Sequence, residues 1–286
     1  MPKTATRVLA AAGALALLAV LPAFSQAPPP LPPGELDRLV DRIALYPDPL
    51  LSQVLAAATY SDQIPDAARW ADQHHYLTGQ TLANAIQEDH LPWDPSVQAL
   101  LPFPSVLDML ASDMNWTRRL GDAFLTQQAE VMDAVQRERR RARDYGYLRS
   151  GGGIVVGAGP YITILPANPA FIPVPYYDPG IVFFAPRPGF FVGGAIRFGF
   201  GVTIGGFFRP WGWGYNNFDW GRHVVIINNA PWRRTWVTRR EYMHPYEVRR
   251  YQGPRYEERH ELHERSERER ESMRRGGEYR EEHDRR

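Results

Sequence analysis

Acid–base chemistry needs a carboxylate or an imidazole that can meet a substrate. Between residues 48 and 94 the sequence offers Asp48, Asp62, Asp66, Asp94, His74, His75 and His90. Two carboxylates, or a carboxylate with a histidine, could hydrolyse cell-wall material if the fold brought them to one cleft. Local patterns give several of them competing roles. Asp48-Pro49 and Asp94-Pro95 read as helix starts, with Asp capping free amides and Pro tolerated in the first turn. Asp66 falls in a first helical turn, where negative charge is favourable, and His74-His75 adjoin a loop. Asp72-Gln-His74 and His260-x-x-His263 are two-ligand metal spacings with no defined third ligand. No Ser-His-Asp order, nucleophile elbow or H-E-x-x-H string occurs. The sequence therefore designates no catalytic residue, no metal site and no cofactor.

Two other groups suit contact rather than reaction. Arg137, Arg139, Arg140, Arg141 and Arg143 put five positive charges into seven residues at a helix end. Such a run is either a solvated terminus complementing the helix dipole or a contact for anionic head groups or an acidic partner. Trp211, Trp213, Tyr215 and Trp220 space flat rings with Gly and small polar residues. They suit stacking on glycan, a seat at a membrane interface, or packing against a Gly-rich sheet face.

Composition narrows the classes. The chain has 286 residues, no Cys and a formal charge of +1. Disulfides, thiolate metal sites and cysteine nucleophiles are excluded. The single lysine, Lys3, lies in the leader, which excludes Schiff-base and P-loop lysine chemistry from the rest. The small net charge conceals segregation. Residues 28–150 carry 17 acids against 11 arginines, 151–253 carry 4 against 10, and 254–286 carry 11 against 10. The middle stretch is thus the natural meeting place for an anionic partner. No recognition motif supports nucleic acid.

Residues 1–27 read as a secretory signal: Lys3 and Arg7, then an apolar run from Val8 to Leu21 that is short for a membrane span. Export to the periplasm or cell envelope follows as the expectation, with membrane association as an option. Residues 28–34 form a Pro-rich linker. From 35 to 150 the apolar period is helical. Leu36, Leu39, Val40 and Ile43 share one face, and Leu51, Val54, Leu55 and Ala58 share the next. Further helices fit Pro65–His74, Gly79–Asp89 and Pro104–Ala111, with one long helix from Trp116 to Asp144. Short connections favour a bundle.

Four strings in this part carry a resemblance: LYPDPLLSQVLAAATY from Leu45, QIPDAARW from Gln63, WDPSVQALLPFPSVL from Trp93 and WTRRLGDAF from Trp116. Together they resemble an uncharacterised family of exported bacterial proteins, domain-of-unknown-function family 3300. The likeness is strong over residues 37–143 and looser through Pro166–Pro179. It implies export and membrane association, and it brings no activity and no catalytic residues.

Composition changes at Ser150-Gly-Gly-Gly153. Gly189–Phe208 is apolar enough for a membrane helix, but Arg197 would cost about 2.5–3.5 kcal/mol near mid-bilayer. Moreover Ile196, Phe198, Phe200, Val202 and Ile204 alternate strictly with Arg, Gly and Thr, the period of a strand. With Ile162–Ile164, an extended Phe171–Tyr176 and His223–Ile227, residues 151–253 are expected to form a small, mostly antiparallel sheet. Residues 254–286 are a charged tail, helical or disordered, with Glu–Arg pairs at four-residue spacing and no apolar stripe. The fold class is α+β: an N-terminal helical bundle, a Gly/aromatic-rich antiparallel β segment and a charged tail. The leading functional expectation is a non-enzymatic envelope protein that meets an anionic membrane surface, cell-wall glycan or envelope protein. The alternatives are a cell-wall hydrolase using a carboxylate from Asp48 to Asp94, and a glycan-binding module using Trp211–Trp220.

Overall fold

A computed structural model describes residues 26–186, 193–199 and 201–246. The leader up to residue 25, residues 189–192 of the apolar stretch and the charged tail with His260 and His263 lie outside the described residues. Eight helices come first: α1 Pro33–Val40, α2 Asp48–Ala58, α3 Ile64–Gln73, α4 Gly79–Glu88, α5 Pro95–Gln98, α6 Pro104–Ser112, α7 Met114–Thr126 and α8 Gln128–Asp144. Five of them carry Pro in the first turn, where its missing N–H costs nothing. Helix α2 is the centre. It is apolar nearly all round, and every residue except Pro49 is buried, as expected of a helix surrounded on all sides. Where α7 crosses it, Gly121 sits so close that a Cβ would stand 2.1 Å from the Ala58 carbonyl oxygen.

The long helix expected from Trp116 to Asp144 is broken at Gln127, which has φ −147° and ψ 54°. A partner from the far end of the chain accounts for the break. The Trp236 N–H donates to the Leu125 carbonyl at 3.0 Å, taking an acceptor that a continuing helix would use. Thr126 Oγ1 also bonds back to the Asp122 carbonyl, and the Gln127 side chain accepts from Leu31 N.

The β segment is antiparallel throughout, as the alternation implies, but it is four small ladders rather than one sheet. Strands β1 Ile154–Val156 and β2 Ile164–Pro166 pair first. Strands β3 Phe171–Ile172 and β4 Pro175–Tyr177 precede the short helix α9 Pro179–Val182, then come β5 Ile196–Phe198 and β6 Val202–Thr203. Strand β4 pairs with β5 and β3 with β6. The single strand read from the alternation is therefore interrupted. One ladder ends at Phe198 and the other begins at Val202, and Phe200 of the alternation lies outside the described residues. The last ladder is β7 Asn217–Asp219, β8 Val224–Ile227 and β9 Ala230–Pro231. Asn228 and Asn229, both at positive φ, make the two-residue turn between β8 and β9.

Helices and ladders share one continuous core: the same cluster of buried side chains includes Leu51 and Phe124 from helices and Ile164, Phe208, Trp211 and Val225 from the β segment. The composition boundary at Gly151 is thus a change of secondary structure within a common interior. Among the described residues, no helix is long and apolar enough to cross a membrane.

Candidate functional site

Of the four carboxylates singled out for acid–base work, Asp48 and Asp94 are held inside, whereas Asp62 and Asp66 are exposed, Asp66 beside Arg69. Asp48 makes no capping bond at α2. Its side chain and that of Arg139 are both fully buried, and Arg139 Nη1 donates to Asp48 Oδ1 at 2.6 Å. The guanidinium also donates to the carbonyls of Ala44, Tyr46 and Ile162. Trp220 Nε1 donates to Asp48 Oδ2, and the Trp220 ring lies 4.9 Å from the Arg139 Cζ. Burial pushes the Asp48 carboxyl up, against the opposing pull of Arg139 and the hydrogen bonds it accepts. No substrate can reach this pair, so the expected capping role of Asp48 gives way to a buried ion pair tying α2, α8 and the β segment together.

Asp94 does cap, accepting from Ser96 N at 2.9 Å and from Ser96 Oγ at 2.6 Å. The same oxygen accepts from His244 Nε2 at 2.7 Å, across 150 positions of chain. Burial alone would raise this carboxyl, yet the bond and charge of His244 and the bonds from Ser96 hold it below the ordinary range. Tyr60, Tyr242 and Tyr246 ring the imidazole, and Arg234 lies 3.6 Å over the Tyr60 ring while donating to Thr59. His244 Nδ1 is buried and makes no hydrogen bond to protein. The nitrogen that general acid–base catalysis would use therefore faces the interior.

The arginine run is dispersed rather than presented as one patch. Arg137 and Arg141 both pair with Asp37, Arg141 also contacts Glu138, and Arg143 pairs with its neighbour Asp144. Arg139 is inside, and Arg140 is exposed. Of the five, only Arg139 leaves solvent: Arg137 is half-buried, and Arg140, Arg141 and Arg143 are exposed. Glu138, almost wholly buried, is pushed up to about 7 by burial and by Asp37 and Asp41, against the pull of Arg141 and Arg137.

Of the roles open to the indoles, the structure shows packing in the interior, which removes Trp211, Trp213 and Trp220 as surface contacts. Trp211 is 0% exposed, Trp213 7% and Trp220 4%. They dock on the helices rather than on the Gly face. Trp211 Nε1 donates to Gln98 Oε1 and Trp213 Nε1 to the Ala99 carbonyl. Burying an indole needs a partner for its N–H, and these supply one. Tyr215 alone of the four stays exposed. The Gly face is covered instead by Tyr176 and Phe171, whose rings lie where a Cβ on Gly199 or Gly201 would stand.

His74 and His75 flank a groove of about 580 Å³ between α3, α4 and β6, with Leu77, Leu82, Val202 and Phe208 in its walls. His75 is exposed as expected, while His74 stacks on Trp70 at 3.9 Å and binds the Trp70 carbonyl through Nδ1. His90 Nδ1 contacts the Glu88 carbonyl. Among the described residues, no three potential metal ligands gather.

Sequence reasoning passed over His244, Tyr177 and Arg234. Tyr177, at the start of the loose second half of the resemblance, bridges Leu45 N and the Asp41 carbonyl through its hydroxyl. The string P-Y-Y-D-P was the available signal for Tyr177. For His244 there was none, because its partner lies 150 positions away.

The body just described coincides with a conserved unit. The family model described as "Protein of unknown function (DUF3300)" matches residues 33–253, from the start of α1 through the last described residue. The chain belongs to the DUF3300 family. The family unit thus spans both the helices and the Gly/aromatic ladders. Among curated proteins, the chain is 33% identical over 203 residues to the uncharacterized protein YacH of Escherichia coli strain K12, a match covering 57% of this chain. It spans about a third of that relative's length. No solved structure matches.

Proposed function

We propose that this DUF3300 protein is exported to the cell envelope and acts there by binding, as a structural or interaction protein, rather than by catalysis. Export rests on the leader, with Lys3 and Arg7 ahead of the apolar run Val8–Leu21. One contrast carries the binding role. Two pairs with chemical potential, Asp48–Arg139 and Asp94–His244, are spent inside the fold. Large apolar side chains, by contrast, are left outside: among the described residues, seven of the twelve exposed ones lie between Val155 and Phe184. Exposed apolar surface of that kind marks a binding face more often than a solvated one. The partner is an anionic membrane surface, a cell-wall glycan or an envelope protein.

Cell fractionation, followed by crosslinking from intact envelopes, tests the reading. The protein is expected in the envelope fraction, with a crosslinked partner lost when exposed residues of the 155–184 stretch are made polar. A cytosolic location sinks the export half. Turnover of peptidoglycan that disappears in Asp94→Asn, with the fold intact by circular dichroism, sinks the non-catalytic half.

A further inference from the structure

Residues 150–186 contain a single charged side chain, Asp178. Its carboxylate is occupied in capping α9 through Gly180 N at 2.8 Å. Only part of this stretch, Ile154, Ile162, Ile164, Ile172, Val174, Val182 and Phe183, enters the core. Strand pairing sends one set of its side chains outward. Val155 and Leu165 are cross-strand partners on β1 and β2, 50% and 38% exposed. Tyr176 is 51% exposed opposite the exposed Arg197, and Phe184, just beyond α9, is 62% exposed.

The ladders that carry Val155, Leu165 and Tyr176 adjoin one another. The Phe198 ring of β5 lies against Gly152 and Pro173 lies against Gly153, joining the β1–β2 hairpin to the β3–β6 ladders. Two shallow depressions share Gly193 and Gly194 as a common wall. One is bordered by Arg149 and Phe198, the other by Tyr176, Asp178, Ile181 and Arg197. Each depression therefore carries one exposed guanidinium beside apolar or aromatic side chains.

We infer that this face docks on an anionic phospholipid surface, with Tyr176, Phe184, Val155 and Leu165 entering the interfacial layer and Arg149 and Arg197 meeting phosphate head groups. The inference rests on the envelope reading above and names its partner. Aliphatic and Phe side chains without polar handles gain by leaving water for the acyl boundary, whereas a glycan offers them hydroxyls. Guanidinium at the rim complements phosphate, and the one carboxylate in the stretch, the exposed Asp178, has one oxygen bound by the Gly180 N–H and shares its depression with Arg197. Aromatic rings beside arginine suit the head-group layer.

The absence of cysteine makes a position-resolved test direct. Full-length Phe184→Cys and Val155→Cys, each labelled with an environment-sensitive fluorophore, are mixed with phosphatidylglycerol/phosphatidylethanolamine vesicles. Arg118→Cys on the exposed face of α7 is the control, which also discounts any insertion of the leader. The expected result is a blue shift at positions 184 and 155 and none at 118, weakened by salt and absent with phosphatidylcholine. Adding Arg149→Glu and Arg197→Glu should weaken binding at least tenfold, since each basic residue near such a surface contributes about fivefold. Four outcomes overturn the inference: no shift at either site, an equal shift with phosphatidylcholine, a shift without lipid that grows with protein concentration, or a shift with purified peptidoglycan but not vesicles. If any of these occurs while the protein still fractionates with the envelope, only the lipid assignment falls. A cytosolic location removes the envelope reading itself.

Discussion

Asp48 and Arg139 stand 91 positions apart in sequence and 2.6 Å apart in the fold, with neither side chain exposed to solvent. Two charges taken from water cost several kcal/mol each, and they are recovered here by an unusually complete set of partners. Arg139 donates to three carbonyls besides Asp48, and Asp48 accepts from Arg139, Trp220 and the Ile164 N–H. The partners come from α2, from α8, from the loop between α1 and α2, and from both ends of the β segment. The pair thus fixes how helices and ladders dock.

Removing one partner should therefore cost far more than removing both. Arg139→Met is expected to destabilise by about 3–5 kcal/mol, because it leaves a buried carboxylate and three carbonyls unpaired. The double variant Asp48→Leu/Arg139→Met should recover part of that loss. Urea denaturation followed by tryptophan fluorescence gives the comparison. A single variant as stable as wild type would mean that the pair does not organise the docking.

The signal for this residue was present in the sequence but was masked by its neighbours. On α8 the apolar stripe runs through Val131, Val135 and Ala142, and Arg139 falls four after Val135 and three before Ala142. Arg140 and Arg143 fall off that stripe. Read as a block, the run looks like a solvated end, whereas read by helical phase one arginine belongs inside. Helix starts at Asp94-Pro95 and Pro104, the strand alternation after Ile196 and the Asn228-Asn229 turn were legible because each depends on adjacent residues. The Gln127 break, the buried indoles and His244 were not, because each is decided by a partner about 90 to 150 positions away. For the proposed docking face, the clearest trace is the long stretch with one charge, residues 150–186.

Gly121 offers a second test of helix docking. A methyl group there would meet the Ala58 carbonyl oxygen at 2.1 Å, a backbone atom that cannot swing aside. Gly121→Ala should lower stability by about 1–3 kcal/mol despite its better helix propensity. Differential scanning calorimetry should show a reduced Tm. An unchanged or raised Tm would show that α2 and α7 do not cross as closely as described.

Stability should also depend on pH near neutrality. Glu138 titrates at about 7 in the folded protein against an ordinary 4.5. Between those values the folded chain holds a proton that the unfolded chain has released, so stability falls as pH rises through that window and levels above it. The size is on the order of 3 kcal/mol. Glu138→Gln should flatten the difference between pH 5 and pH 8 in urea midpoint. A wild-type midpoint that rises over that range would contradict the assignment.

The contact between His244 and Asp94 makes the most specific prediction, because it closes a strap. From Trp232 onward the chain lies back over the helices. Trp232 stacks on Phe124, Arg234 grips Thr59 and Tyr60, Trp236 bonds to Leu125, and His244 fastens the far end on Asp94. His244→Ala removes only the last fastening. It should speed trypsin cleavage at Arg239 and Arg240 severalfold while leaving the helical signal of circular dichroism unchanged. Asp94→Asn should do the same by removing the charge that His244 meets, while leaving the cap of α5 nearly unchanged, because Asn caps about as well as Asp. The sign of the acid response follows from the Asp94 carboxyl. It is held below its ordinary 3.8, so its contribution is present above that value and is lost as pH falls through the lower folded value. Strap release in wild type should accordingly appear only in strong acid, whereas Asp94→Asn should show the loosened strap at every pH. If His244→Ala leaves cleavage at Arg239 and Arg240 at the wild-type rate, the strap is held by Arg234 and Trp236 alone.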